Sequence, residues 1–188
     1  MPRLPLVSLT CALALLVAGC DRESADGAQP EAAEAGGELT GTIDRSFAGQ
    51  ALPSVALADP TGATLANADL AGTPVLLNLW ATWCVPCVTE MPMLDALAAE
   101  LGDSVRVVTV SQDMNGAEAV APFFAQRKLD NLPQWLDQDM QLPPALKAPG
   151  LPLTVLYDAE GKELWRVAGG FDWGSAEARE MIAEATKT

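Results

Sequence analysis

At 188 residues, with 25 Asp and Glu against 11 Lys and Arg, the chain carries a formal net charge of −14. That balance excludes a nucleic-acid partner, since nothing neutralises phosphates, and it excludes Lys/Arg attraction as the means of holding an anionic bilayer. Histidine is absent, which excludes His-assisted nucleophiles, His-ligated metals and imidazole proton shuttles.

The chain opens with Arg3 and an apolar Leu/Ala/Val run from Leu4 to Ala18. The run is short for a membrane span and stands where a secretory signal peptide belongs, over residues 1–19. It ends in Leu16-Val17-Ala18-Gly19-Cys20, which resembles the bacterial lipobox, whose cysteine becomes the lipidated first residue after cleavage. Cys20 is the expected lipidation site; an uncleaved anchor or cleavage elsewhere is the alternative. Residues 20–38 are rich in Ala, Glu, Gly and Asp and lack apolar periodicity, so a lipidated, disordered acidic tether is expected there. As a coil it spans about 25 Å. Residues 39–188 are expected to form the folded domain, and about 140 residues suffice for an adequate core.

Within that domain, Val55–Leu57 and Ala63–Leu65 flank Asp59-Pro60-Thr61-Gly62, a strong turn signal, and predict a hairpin. The apolar run Val75–Trp80, broken only by Asn78, predicts a buried strand. Met91, Leu94, Leu97, Ala98 and Leu101 recur at helical spacing before Gly102, a natural stop. Val105–Val110 is a second β-branched run. A helix over 117–129 follows, with Pro122 expected to kink it or mark its true start. Residues 133–150 read as Pro-rich and irregular, with a short helix near Leu142–Lys147. Leu153–Tyr157 and Glu163–Ala168 bracket Asp158-Ala159-Glu160-Gly161 as an antiparallel hairpin, and a last helix starts at the N-cap residue Ser175 and ends near Ala185. This order describes an α/β fold with a mixed sheet.

The chemistry concentrates in Trp83-Cys84-Val85-Pro86-Cys87, where a strand turns into a helix. Cys84 falls at the helix N-terminus, where free backbone N–H groups and the helix dipole favour a thiolate. Cys87 lies on the same face, within disulfide reach. The four cysteines are accounted for: Cys11 leaves with the signal, Cys20 carries lipid, and the pair remains. A purely structural bridge is the weaker reading, because so tight a loop contributes only about 2 kcal/mol. Cys84, exposed at the helix tip, is the expected attacking thiol and Cys87 the resolving one. The same thiolates with Met91 or Met93 could instead hold Cu(I). Glu90 continues the stripe Cys84–Cys87–Glu90. It is either a proton acceptor for the buried thiol or an exposed acid favouring the first turns. Trp83 is read as a shield for Cys84, Trp80 as packing, and Asn78 as a hydrogen-bonding core residue. Pro152, after Leu151, either simply opens a strand or forms a cis turn.

Asn78 through Cys87, followed by Glu90-Met91-Pro92 and later by Gly150-Leu151-Pro152, resembles the TlpA/ResA-like membrane-anchored thiol–disulfide oxidoreductases of the thioredoxin superfamily. The TlpA pattern fits better than the ResA one, and the likeness covers roughly Leu52 to Ala185. It implies a thioredoxin-like fold with an added N-terminal hairpin, and Cys84, Cys87 and Glu90 as catalytic residues. It also implies Trp83, Leu151 and the cis-proline Pro152 at the client-binding surface. A redox-active disulfide Cys84–Cys87 then serves in place of a cofactor, with no metal. The implied partners are an extracytoplasmic disulfide-containing client, in cytochrome c or cytochrome oxidase copper-site maturation, and a membrane-embedded electron donor. Asn78 departs from the thioredoxins, which carry a buried Asp there, and this shifts the proton-transfer burden to Glu90. Asp21 after the lipid cysteine resembles an inner-membrane retention signal, with the domain facing the periplasm. A peroxide-reducing relative fits poorly, because no Arg or Lys lies between Arg45 and Arg106 to support a peroxidatic thiolate.

Overall fold

The computed structural model describes residues 37–187. The expected signal peptide, Cys20 and the tether up to residue 36 lie outside the described residues.

Strand β4 (Val75–Trp80) is buried along its whole length. Side chains alternate across a strand, so Leu76, Asn78 and Trp80 face one layer while Val75, Leu77 and Leu79 face the other. β5 (Arg106–Ser111) lies parallel to it, from Val75↔Arg106 to Trp80↔Ser111. A parallel neighbour requires a crossover, and helix α1 (Val85–Leu101) provides it, ending at Gly102 as its spacing predicts. β7 (Leu153–Tyr157) runs antiparallel on the other side of β4, pairing Asn78 with Thr154. β7 and β8 (Glu163–Ala168) form the expected second hairpin.

β1 (Thr42–Asp44), β2 (Leu57–Ala58), β3 (Thr64–Leu65) and β6 (Trp135–Leu136) complete an eight-stranded mixed sheet in the order β1-β8-β7-β4-β5-β6-β2-β3. The early turn closes as read: Asp59 Oδ1 accepts from the N–H groups of Thr61 and Ala63, and Gly62 takes φ +87°. The hairpin it joins docks on β6 through Ala58↔Leu136.

Helices α1, α2 (Ala117–Arg127) and α4 (Ala176–Ile182) cover one face, packing Met91, Leu94, Val120, Phe124 and Met181 over Leu76 and Trp80. The early hairpin and α3 (Leu142–Ala145) contribute Leu57, Leu65 and Leu142 to the apolar cluster of the opposite face. α2 excludes one alternative for Pro122, that it marks the start of the helix. The helix is established from Gly116, whose carbonyl accepts from Ala119 and Val120, and runs through Pro122. The carbonyl of Glu118, which loses its usual donor to the proline, belongs to an exposed residue and has access to water. At the C-terminus, Ser175 caps α4 by accepting from the Ala178 N–H at 3.1 Å, and the last turn tightens to a 3-10 form over Ala183–Thr186.

Gly37 and its neighbours cross the first turns of α1. The Gly37 N–H donates to Thr89 Oγ1 at 2.8 Å, and a Cβ on Gly37 would stand 2.5 Å from Pro86 Cα. Only glycine fits so close a crossing. This is the thioredoxin-like arrangement with an added hairpin that the resemblance implies.

Candidate active site

Parallel strands β4 and β5 end together, and the site stands beyond their C-terminal ends, where open α/β sheets gather functional groups. Asp113, just past β5, fixes the connection from β4 to α1. Its carboxylate accepts from the Thr82 N–H at 2.9 Å, from Thr82 Oγ1 at 2.6 Å and from Ser111 Oγ at 2.8 Å. The Cys84 N–H then donates to the Ala81 carbonyl at 3.2 Å, closing the turn that delivers the first cysteine.

Cys84 is the N-cap of α1 at φ −89° and ψ 103°, with no side-chain cap, and proline occupies the first turn. A proline is tolerated there because the N–H it lacks would have no partner inside the helix. The unsatisfied N–H groups of this turn and the helix dipole give the cysteines a locally positive setting. Cys84 and Cys87 are joined, with S–S 2.03 Å and Cα–Cα 5.3 Å. The expectation of an exposed Cys84 needs correction: it is 6% exposed, against 0% for Cys87, because both sulfurs belong to the apolar cluster that includes Ala81 and Phe171. The order of accessibility is as expected; its scale is smaller. Trp83 is 65% exposed, so its ring lies largely in solvent beside the pair.

Glu90 is the decisive observation. It lies one turn beyond Cys87 and is fully buried, which rejects the reading of an exposed helix acid. Its Oε1 accepts from Asn78 Nδ2 at 2.8 Å, and its Oε2 from the Phe171 N–H and the Trp173 Nε1–H, each at 3.1 Å. Burial pushes its pKa up to about 7, and the three donors, Phe171 foremost, hold it from rising further. A carboxyl poised near neutrality can take or return a proton at physiological pH.

Asn78 is the hydrogen-bonding core residue expected, its Nδ2 shared between Glu90 and Thr154 Oγ1 at 2.9 Å. Trp80 packs against Phe123 and Phe124 with ring centroids at 5.0 and 5.8 Å. The Leu151–Pro152 bond is cis. Pro152 is buried and its carbonyl accepts from the Gly169 N–H, while Leu151 is half-buried. Met91 is fully buried and Met93 packs against the same apolar cluster. Among the described residues no group of three or more His, Cys, Asp or Glu is placed to hold a metal ion. Phe171, Trp173, Thr154 and Asp113 escaped the sequence reading. Thr154 and Asp113 had a usable signal, each a polar residue in or beside an apolar strand. The first two reach Glu90 across 81 and 83 residues with no spacing to mark them.

A disulfide at the first turn of α1, a buried carboxyl one turn behind it and a cis-proline just before β7 define a thioredoxin-fold thiol–disulfide oxidoreductase, which works through a cysteine pair. The family model for Redoxin matches residues 47–182, and the chain belongs to that family. It is 33% identical over 122 residues to the thiol-disulfide oxidoreductase ResA of Bacillus subtilis, covering 64% of this chain and 67% of that one. Among solved structures, a Chlorobium tepidum protein assigned as a thiol:disulfide interchange protein DsbE superposes with TM-score 0.67 at 28% identity, covering 73% of this chain and 96% of the other. The exposed lipoprotein thioredoxin Etrx1 of Streptococcus pneumoniae does so with TM-score 0.59 at 27% identity, covering 70% and 99%. The ResA and DsbE likenesses agree with the TlpA/ResA resemblance carried by the motif.

Proposed function

We propose that this oxidoreductase reduces disulfides in extracytoplasmic client proteins and is itself re-reduced by a membrane-embedded electron donor. The observation that carries the reading is the neutral-range, fully buried Glu90 one helical turn behind the Cys84–Cys87 pair. In the reduced protein, the Cys84 thiolate attacks a client disulfide: a Cys84–client S–S bond forms, the client's own S–S bond breaks, and one client sulfur leaves as thiolate and takes a proton. Cys87 passes its proton to Glu90 and attacks the Cys84 sulfur. The Cys84–Cys87 bond forms, the mixed disulfide breaks, and the client has gained two electrons.

Trp83, Leu151 and Pro152 are assigned to client binding. Trp83 offers an exposed apolar ring, and among the described residues the N–H and C=O of Leu151 have no backbone partner, as a strand edge awaiting an extended peptide requires. The client class, cytochrome c or the copper site of cytochrome oxidase, follows from the TlpA/ResA resemblance. Attachment to the cell envelope through Cys20, with the domain on the periplasmic side, is supported by the lipobox and by the lipoprotein named among the structural relatives. Cu(I) delivery would call on Met91 or Met93, and both are committed to core packing; dithiol exchange is the reading adopted.

The test is direct. Cys84→Ser is expected to abolish reduction of insulin disulfides, and Cys87→Ser to accumulate a covalent client adduct in cells, resolvable by non-reducing electrophoresis and mass spectrometry. If no adduct accumulates, the division of roles between the sulfurs is wrong. A glutathione titration is expected to place the couple nearer to about −270 mV than to about −120 mV; a value at the oxidising end would make the protein a disulfide donor.

A further inference from the structure

The two oxygens of the Glu90 carboxyl are not equivalent. Oε2 accepts from the Phe171 N–H and the Trp173 Nε1–H, two groups that can only donate. Neither donor can turn away. The first is main chain, in a segment entered through Gly169 at φ +94° and pressed so closely on α1 that a Cβ on Gly170 would meet Pro86 Cβ at 3.1 Å. The second is on a fully buried indole packed against the Phe171 ring at 5.1 Å. A proton on Oε2 would set an O–H against these N–H groups and take away the acceptor they share, which in a buried site is costly.

Oε1 has a different neighbour. It accepts from the Asn78 amide, which carries a donor and an acceptor on one rotatable group. The Asn78 Oδ1 is buried and has no partner in the disulfide form. A half-turn of the amide presents that oxygen to an Oε1–H and moves Nδ2 into the place that Oδ1 leaves. Thr154, bonded to the same amide, has a hydroxyl that donates as readily as it accepts and so follows the turn.

We propose that Glu90 exchanges its proton at Oε1 alone, with Trp173 as the positioning residue that keeps Oε2 a permanent acceptor and Asn78 as the amide that turns over with the proton. The inference rests on the reading that Glu90 serves Cys87. In that step the Cys87 S–H bond breaks, its electron pair stays on sulfur, and an O–H bond forms at Oε1. The two redox electrons move only later, when the sulfur attacks. Cys84 and Cys87 are the titratable groups that precede Glu90 on its own helix; β4 brings the neutral Asn78 to it, and β7 brings Thr154 to Asn78. Asp172 of the loop and Glu177, Arg179 and Glu180 of α4 are exposed, and the Glu163–Arg166 pair of β8 is engaged with Leu146 on the opposite face of the sheet. Hydrogen bonds, with no charged neighbour, therefore offset the burial, and losing one donor acts on Glu90 directly.

The experiment is a pH titration of the isotope-labelled full chain in its disulfide form, followed by NMR at three atoms. The Asn78 side-chain N–H resonances are expected to move with the midpoint of the Glu90 carboxyl carbon, while the Trp173 indole N–H keeps its hydrogen-bonded position throughout. The reverse pattern, an indole that loses its partner on acidification beside a silent Asn78, overturns the assignment. Trp173→Phe keeps a ring and removes the N–H. It is expected to raise the Glu90 midpoint by about one pH unit and to carry the rising limb of the insulin-reduction profile with it. A midpoint left in place would make Trp173 structural only. Should that variant not fold, the titration of the unaltered chain still decides. Insulin reduction by the unaltered chain is scored separately, so failure of the reductase reading is distinguishable from failure of the proton assignment.

Discussion

Glu90 couples the stability of the oxidised protein to pH in the direction opposite to that of most carboxylates. Its folded pKa, about 7, stands above the ordinary 4.5, so between those values the folded chain holds a proton that the unfolded chain has released. The stability that the neutral carboxyl contributes is fully present below 4.5 and is lost as pH rises through about 7. Glu90→Gln keeps the shape and cannot ionise. It is expected to match the parent at low pH and to exceed it at alkaline pH by about 3 kcal/mol, at roughly 1.4 kcal/mol per pH unit of displacement. Urea unfolding at several pH values, with an unchanged denaturant slope, checks this; parallel curves would show that the carboxyl is already ionised at neutrality. The same variant should reduce clients more slowly at neutral pH. Glu90 was legible because its place depends on local helical spacing from Cys87. The donors that tune it were not, because Phe171 and Trp173 arrive through tertiary folding with no periodic relation to α1.

At the scale of elements, the first turn of α1 is aimed from β5. Asp113 is 4% exposed and binds the turn before Cys84 through Thr82 and itself through Ser111, with no cation beside it among the hydrogen-bond partners. Asp113→Asn replaces one accepting oxygen by a donor that must face Thr82 or Ser111. Chemical denaturation is expected to show a loss of about 2 kcal/mol, and insulin reduction a lower rate as the cysteine turn loosens. Stability lost at full activity would reduce the clamp to a structural role. The long strands and helices were readable because hydrophobic period and turn chemistry agree over five or more residues, as in Val75–Trp80 and Leu153–Tyr157. β1 and β6 were not, since two or three residues carry no period and exist as strands only because β8 and β5 offer them an edge. α2 shows the converse. Pro122 reads as a kink or a start; it is not the start, because helix contacts already formed from Gly116 outweigh one missing bond on an exposed side.

For the whole molecule, a net charge of −14 sets the terms of membrane attachment. Basic residues cannot hold so acidic a chain to anionic headgroups, and among the described residues no helix is long and apolar enough to cross a bilayer. Under the proposed function the hold must be hydrophobic and must come from acyl chains on Cys20, more than one of them being needed for a stable anchor. The chain enters the domain over Pro86 and Thr89, beside the dithiol. Two treatments separate the forces. A high-salt wash screens charge and is expected to leave the parent protein in the membrane pellet. Cys20→Ala removes the acylation site and is expected to release nearly all of it to the soluble periplasmic fraction, with slower re-reduction in cells because the local concentration near the donor is lost. Release of the parent by salt would make the attachment electrostatic or protein-mediated. Retention of Cys20→Ala would assign it to an uncleaved run from Leu4 to Ala18, an outcome that intact mass of the membrane-bound chain distinguishes from lipidation.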